Sequence, residues 1–438
     1  MEVKVQINTQ TSDSIPRGVI ILGSTGSVGT QASDVIRRNH GKFQVKGIAA
    51  AGRKVQLLAE QVLDLQPEVV AVARNDAEQP LRSAIAAEAA RREVKGSWQV
   101  PKILTGADGV EQVASWRADV VLNGIDGALG LRSTLAALDA GSILALANKE
   151  SLIIGGELVT RAARPGQIVP VDSEHAALAQ CMRGGSKGEI RRMIITASGG
   201  PFHGRRRFEL TDVTPAQALA HPTWSMGPLI TINSATMVNK GLEVIEAHLL
   251  FGISYDQIEV VLHPTSEIHS MVEFHDGAVI AQVSPPDLRL AIALGLAWPK
   301  RVPSAAHAFD WTQPHNWQIM PLDHETFPAI ELARQVGRAG GTAAAVYNAA
   351  NEVCVHRFLT GQLPFLAIVD TVAQVVGEHT ASKANSVEEV IAADAWARTR
   401  AIEVAGRPTN SLAVAGYSSP HLIKGAAPAA RLGPNVGP

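Results

Sequence analysis

The chain has 438 residues, 46% hydrophobic and 18% charged, which suits two or three folded domains and excludes a disordered or fibrous polymer. Its formal net charge of −2 argues against nucleic acid or an anionic membrane surface as partner, since both call for a basic excess. Two isolated cysteines, Cys181 and Cys354, make neither a zinc site nor a disulfide framework.

The polar start MEVKVQINTQTSDSIP lacks the apolar stretch of a secretory signal. The most apolar helix candidate, LRLAIALGLAW, is too short to span a bilayer. A cytoplasmic protein is expected. From Gly18 to about residue 163, the aliphatic runs VIILGS, FQVKGIAA, EVVAVA, DVVLNGI and SILALA alternate with helical stretches such as VQLLAEQVLDLQ and LRSTLAALDA. Continuous apolar strands separated by amphipathic crossovers predict a doubly wound, Rossmann-like α/β domain over 1–163.

The texture then changes. RRMIITAS, LITINSAT and IEVVLHPTS read as strands, and VEFHDGAVIAQVS as a hairpin turning at Asp276-Gly277. With the helices EHAALAQCMRG, MVNKGLEVIEAHLLF and DLRLAIALGLAW, this predicts an α+β domain over 164–299. Residues 300–325, rich in Pro, His and Trp, read as a linker. Residues 326–405 read as a C-terminal helical bundle of four stretches, and 406–438, rich in Gly, Pro and Ala, as a disordered tail.

GVIILGSTGSVGTQASDVI is strand, tight turn and helix, with Gly23, Gly26 and Gly29 three residues apart. That context fits a dinucleotide loop, in which glycines admit the pyrophosphate and the helix start offers free N–H groups. An ordinary βα turn is the bland alternative. The second strand ends in Gly52, Arg53 and Lys54 rather than in the acidic residue that holds an NAD ribose. Two cations there favour the 2′-phosphate of NADP(H).

Asp172 and Glu174 follow the strand IVPV. The commonest use of Asp-x-Glu at such a place is a helix cap; a divalent cation is the alternative, but it needs more oxygens. In MVNKGLEVIEAHLLF, Asn239, Lys240 and Glu243 share a helical face, with Glu246 one turn on as the competing carboxylate and an exposed acidic stripe as the bland reading of both. His175 is expected to hydrogen bond rather than to ligate. ANKES offers Asn148 and Lys149 at another strand end. TASGGPF offers Ser198 as a phosphate cradle or a turn. AHPTWSMG, after the basic run Arg205–Arg207, reads as part of a lid over an anionic ligand, spanning about 203–226, or as a surface loop.

The ordered motifs GSTGSVG, ANKES, VDSEH, SGGPF, HPTWSMG and INSATMVNKGLE closely resemble the 1-deoxy-D-xylulose 5-phosphate reductoisomerase family, over about Gly18 to Ala405. The resemblance implies an NADPH-dependent oxidoreductase and isomerase of isoprene biosynthesis, using Mg²⁺, Mn²⁺ or Co²⁺ (magnesium, manganese or cobalt) on a phosphorylated small-molecule substrate, typically as a homodimer. It implies Asp172, Glu174 and Glu243 as metal ligands, catalytic together with Lys149. It further implies Lys149, Ser173, Glu174, Ser198, His221, Trp224, Ser234, Asn239, Lys240 and Glu243 as substrate contacts. Thr25, Gly26, Ser27, Val28, Gly52, Arg53, Lys54, Asn148, Glu150 and Gly227 would contact NADPH. The segment HGRRRFELTD does not match the family pattern securely. Two competing readings remain: an aspartate-semialdehyde-type NADP-dependent dehydrogenase, which needs a reactive cysteine, and a non-catalytic NADP-binding sensor, which has no use for a metal triad.

Overall fold

The computed structural model describes residues 15–94, 99–224 and 226–406; the expected disordered tail lies, beyond Gly406, outside the described residues. In chain order the elements are β1 (Arg17–Leu22), α1 (Ser27–Arg38), β2 (Phe43–Ala50), α2 (Val55–Leu65), β3 (Val69–Val72), α3 (Glu78–Arg91), β4 (Lys102–Thr105), α4 (Gly106–Ala114), β5 (Val120–Asn123), α5 (Gly130–Asp139) and β6 (Ile143–Leu146). There follow α6 (Lys149–Gly155), α7 (Glu157–Ala162), β7 (Ile168–Pro170), α8 (Ser173–Cys181), β8 (Ile190–Ala197), α9 (Pro215–Ala218), α10 (Pro228–Ala235) and α11 (Val238–Phe251). The rest comprises β9 (Ile258–Leu262), β10 (Ile268–Phe274), β11 (Val279–Val283), α12 (Arg289–Ala297), β12 (Met320–Pro321), α13 (Ala329–Ala339), α14 (Ala343–Leu359), α15 (Phe365–Glu378) and α16 (Val387–Ala405).

The chain forms two compact units. The first comprises the chain through Ile125, Ala136–Ala147 and Leu288–Ala305. Its strands run β4-β3-β2-β1-β5-β6, all parallel. The five expected strands are β1, β2, β3, β5 and β6. The short β4, KILT, sends no comparable apolar signal because its side chains are partly exposed. Order reverses between β1 and β5, and ligands of open α/β sheets bind at such a switch point, beyond the strands' carboxyl ends.

The β1–α1 turn lies there. Gly23 has φ +78°, and a Cβ on it would fall 2.3 Å from the carbonyl oxygen of Gly124. A Cβ at Gly29 would fall 2.4 Å from the carbonyl oxygen of Gly23. These two glycines therefore close the turn on itself. At Gly26, the N-cap of α1, a Cβ would meet only the Gly23 carbonyl, at 3.2 Å. The helix start has no side-chain cap and no acidic residue in its first turn, so its amides are left for an anionic ligand.

The second unit holds Asp126–Leu135, Asn148–Asp287 and the chain from Ala306. Its sheet runs β11-β10-β8-β9-β12, with β8 and β9 parallel and the other pairs antiparallel. The expected hairpin is β10–β11, turning through Asp276 and Gly277. Four helices, α13–α16, occupy the predicted bundle.

Four expectations change. LITINSAT is not a strand but α10, entered through Gly227 and Pro228. Its β-branched residues imitate a strand, while burial of Ile232 and Ala235 in the core selects helix. The α12 stretch, expected in a 164–299 domain, belongs to the first unit, where it packs on α1 and Arg289 pairs with Asp34 at 3.2 Å. The central sheet and the C-terminal helices share one core, from Leu178 on α8 through Leu242 to Tyr347 and Ala405, so they form one unit rather than two domains. The 300–325 stretch is more than a linker. It carries β12, the ring cluster of Phe309, Trp311, His315 and Trp317, and a bond from Trp317 Nε1 to Glu267 at 2.6 Å.

Gly23→Ala should lower the thermal denaturation midpoint by on the order of 5 °C, since strain and a backbone clash add. A melting curve superimposable on that of the parent would contradict this account of the turn.

Candidate functional site

Three chain segments build an acid cluster in the second unit. Asp172 lies two residues past β7 at the N-cap of α8, Glu174 lies in the first turn of α8, and Asn239, Lys240 and Glu243 lie on α11. Lys149 opens α6. The bland reading of Asp172 fails, because its side chain caps no amide; it makes a close ion pair with Lys149 instead. Carboxylate oxygens of Asp172, Glu174 and Glu243 all lie within 4.8 Å of one another.

Cations hold them together. Lys240 Nζ donates to Glu174 at 2.7 Å and to Glu243 at 2.5 Å. Lys149 Nζ lies 3.3 Å from Glu243 and 3.1 Å from the Asn239 amide oxygen, and Asn239 Nδ2 donates to Glu243 at 2.6 Å. Ser173 Oγ donates to Glu174 at 2.5 Å. Glu243 is 1% exposed, Asp172 15% and Glu174 18%, so the cluster opens to solvent along its Asp172–Glu174 side. Hard oxygen donors at this separation fit a divalent cation such as Mg²⁺ or Mn²⁺.

Burial pushes the Glu243 carboxyl up to about 7, and the neighbouring Glu174 charge adds to this. Burial acts on Glu174 in the same direction, but the Lys240 ammonium overrides it and holds that carboxyl below the usual range. Burial likewise opposes charge on Lys149 and Lys240, yet the facing carboxylates keep both ammonium groups well protonated.

The exposed acidic stripe is excluded, because Glu243 and Glu246 are both fully buried. Glu246 turns away from the open side, with Oε2 3.2 Å from His175 Nδ1. Burial drives its carboxyl well above the usual range, with the Asp172 charge adding to this. His175 Nε2 lies 2.8 Å from the Glu243 main-chain oxygen, to which it can only donate, which leaves Nδ1 without a proton and in contact with Glu246 but not hydrogen-bonded to it. Asp172, His175 and Glu246 also approach within 4.8 Å, but His175 and Glu246 are completely buried, whereas Asp172 and Glu174 of the first group reach solvent.

A second, uncharged group surrounds His221. Its Nδ1 accepts the main-chain N–H groups of Thr223 and Trp224 at 3.1 and 2.9 Å, so Nε2 carries the ring proton. That nitrogen lies 3.0 Å from Ser198 Oγ and 3.2 Å from Ser234 Oγ. Ser198 Oγ also accepts the Gly200 N–H at 3.2 Å. With both approaches filled by donors, the Ser198 hydroxyl proton must seek another acceptor, as an anion-binding hydroxyl does. Trp224 stands edge-on to His269, ring centroids 6.3 Å apart. Nothing in the sequence singled out His269; the only signal was its place in HPTSEIHS. Of the basic run, Arg207 is engaged by Asp370 at 2.7 Å and Arg205 lies over Phe202.

The remaining positions divide between the units. In the first, Thr25, Gly26, Ser27 and Val28 surround the start of α1, while Gly52, Arg53 and Lys54 follow β2; Lys54 Nζ reaches the Thr25 carbonyl at 3.4 Å. In the second, the Asn148 side chain caps α6 by accepting the Ser151 N–H at 2.6 Å. Glu150 follows in the same turn, with burial raising its carboxyl, and Gly227 precedes α10.

Family comparison agrees with this arrangement. The model for 1-deoxy-D-xylulose 5-phosphate reductoisomerase matches residues 19–156, and its C-terminal domain models match 168–251 and 283–400. The reductoisomerase of Kitasatospora griseola is 57% identical over 390 residues, covering 88% of this chain and all of the relative. The chain belongs to the 1-deoxy-D-xylulose 5-phosphate reductoisomerase family.

Other reductoisomerases agree. The Streptomyces avermitilis enzyme is 56% identical, covering 88% of this chain and 97% of its own. The structure of the Zymomonas mobilis reductoisomerase with NADPH superposes at TM-score 0.82, with 39% identity, covering 90% of this chain and 100% of that one. A reductoisomerase complex with NADPH, fosmidomycin and magnesium reaches TM-score 0.78 at 33% identity, covering 89% and 98%.

Because a cation must displace the proton that Glu243 retains below about pH 7, Mn²⁺ affinity should rise by up to about tenfold per pH unit between pH 6 and 7 and level off above. Calorimetric titration measures this; a flat profile would remove Glu243 from the ligand set. Ser198→Ala should raise KM for the phosphorylated substrate by roughly tenfold or more with little change in NADPH affinity.

Proposed function

We propose that this chain converts 1-deoxy-D-xylulose 5-phosphate to 2-C-methyl-D-erythritol 4-phosphate, a rearrangement followed by a reduction, in the non-mevalonate route to isoprenoid precursors. The observation that carries the reading is the convergence of Asp172, Glu174 and Glu243 with Lys149 and Lys240 in one half-open cluster. A plain dehydrogenase or a cofactor sensor has no need of it. The cysteine-dependent alternative also lacks its nucleophile, since burial pushes the Cys181 thiol up to about 11 and that of Cys354 to about 12.

Asp172, Glu174 and Glu243 would hold Mg²⁺, Mn²⁺ or Co²⁺, which when bound supplies Lewis-acid stabilisation of charge developing on the substrate's ketone and hydroxyl oxygens. NADPH, on the α1 loop and the Arg53–Lys54 turn, supplies the hydride. The chain's own groups do the rest. Lys149 presents a fixed positive charge at the reacting oxygens while the C3–C4 bond breaks and carbon reconnects. Glu174, kept ionised by Lys240, can ligate and accept a proton in turn. Ser198, Ser234, His221, Asn239 and Lys240 anchor the phosphate, so the fragments stay in register. Ser173 orients Glu174, and Trp224 closes over the pocket with the 203–226 lid, excluding water.

A homodimer fits the same reading. The edge strand β11 exposes Val279 and Ile280, and Trp311 in the ring cluster is 69% exposed; such an edge invites a second copy. Two free buried thiols accord with the reducing cytoplasm.

Mixing the protein with 1-deoxyxylulose 5-phosphate, NADPH and Mn²⁺ should consume the reduced cofactor's absorbance, and chelator should stop it. Asp172→Asn should lower kcat by roughly 10³-fold while NADPH binding persists. Chelator-insensitive turnover, or near-normal Asp172→Asn activity at limiting metal, would refute the assignment.

A further inference from the structure

The first unit carries a cation that the glycine loop and the Arg53–Lys54 pair do not account for. Strands β2 and β3 are parallel neighbours in register, Ala50 opposite Val72, and the chain beyond β3 stays tied to β2 by a bond from the Ala73 N–H to the Ala50 carbonyl at 3.0 Å. Two residues past each strand stand Gly52 and Arg74.

Gly52 takes φ +86°, and a Cβ there would fall 2.9 Å from Ala77 Cβ and 3.6 Å from Arg74 Cβ. The missing side chain thus lets the β2 turn press against the β3 turn and brings the root of Arg74 beside the residue preceding Arg53. Three cations, Arg53, Lys54 and Arg74, gather at the carboxyl ends of these two strands. The acid paired with Arg74 is Asp76, two residues on, through a forked contact with Nε 2.8 Å from Oδ1.

We propose that Arg74 is a further specificity-determining residue for NADPH, a second guanidinium on the 2′-phosphate that exchanges Asp76 for the ligand. The inference rests on the reading that places this phosphate at Arg53 and Lys54. Its chemistry is direct. A guanidinium bound in a fork by a carboxylate presents the geometry that a phosphate accepts. The Arg74–Asp76 pair is exposed, with side chains 55% and 67% accessible, and pairs of that kind are weak enough to yield to a dianion. Asp76 then acts as a place-holder that keeps the side chain extended along the turn. NADH, with a neutral 2′-hydroxyl, gives Arg74 no reason to leave Asp76.

The test is binding rather than turnover, measured on the full chain by fluorescence titration with NADPH and NADH. Arg74→Ala should weaken NADPH roughly tenfold and NADH less than twofold. Asp76→Ala, which deletes the competing carboxylate, should leave NADPH binding unchanged or tighter. A parallel loss for both cofactors would make Arg74 an adenine or general contact and overturn the proposal; so would an unchanged NADPH constant in Arg74→Ala, or weaker NADPH binding in Asp76→Ala. Arg53→Ala separates the two levels of the argument. Lost discrimination in Arg53→Ala but not in Arg74→Ala would leave the 2′-phosphate reading standing and remove Arg74. A parent protein that binds NADPH and NADH alike would remove both.

Discussion

Charge compensation inside a low-dielectric pocket governs the second unit. Three carboxylates with oxygens within 4.8 Å of one another repel too strongly to be buried unless positive charge is placed among them. Lys149 and Lys240 supply it, each bridging two of the acids. The geometry of α6, β7–α8 and α11 follows from that demand, since each offers its charged side chains from its first turns toward one point. Buried His175 belongs to the same solution: it donates to the Glu243 main-chain oxygen and so steadies that stretch of α11, with Glu246 3.2 Å from its other nitrogen.

The same unit separates charged from uncharged work. Ionised groups collect between α6, α8 and α11, whereas the Ser198–His221–Ser234 group is neutral and built on loops and the start of α10. In the first unit glycines clear space at strand ends, and the basic side chains of Arg53, Lys54 and Arg74 follow β2 and β3.

Much of this was legible in the residues. The parallel α/β pattern shows in the apolar runs because buried strands leave no polar alternation to hide them. The hairpin at Asp276-Gly277 shows because its turn chemistry is local. Segment LITINSAT misleads, since β-branched residues suit a strand, and only burial against the shared core selects helix. The α12 stretch misleads differently: its sequence is plainly helical, but nothing local says that it pairs through Arg289 with Asp34, far back in the chain. Spacing alone could place Glu243 and Glu246 near each other but not choose between them; the choice depends on where His175 stands. Asp172 was ambiguous because cap and ligand use the same carboxylate, and only Lys149, a distant residue, draws it away from the helix amides.

The imidazole of His221 has one further bearing. Its Nδ1 is saturated by two amide protons and burial lowers its basicity, so both influences favour the ring with its single proton on Nε2. The Ser198 and Ser234 hydroxyls beside it therefore share one ring proton between them. A ring fixed in one tautomer in this way works as an orienting group, setting which lone pair each serine oxygen keeps and which hydroxyl proton it turns outward.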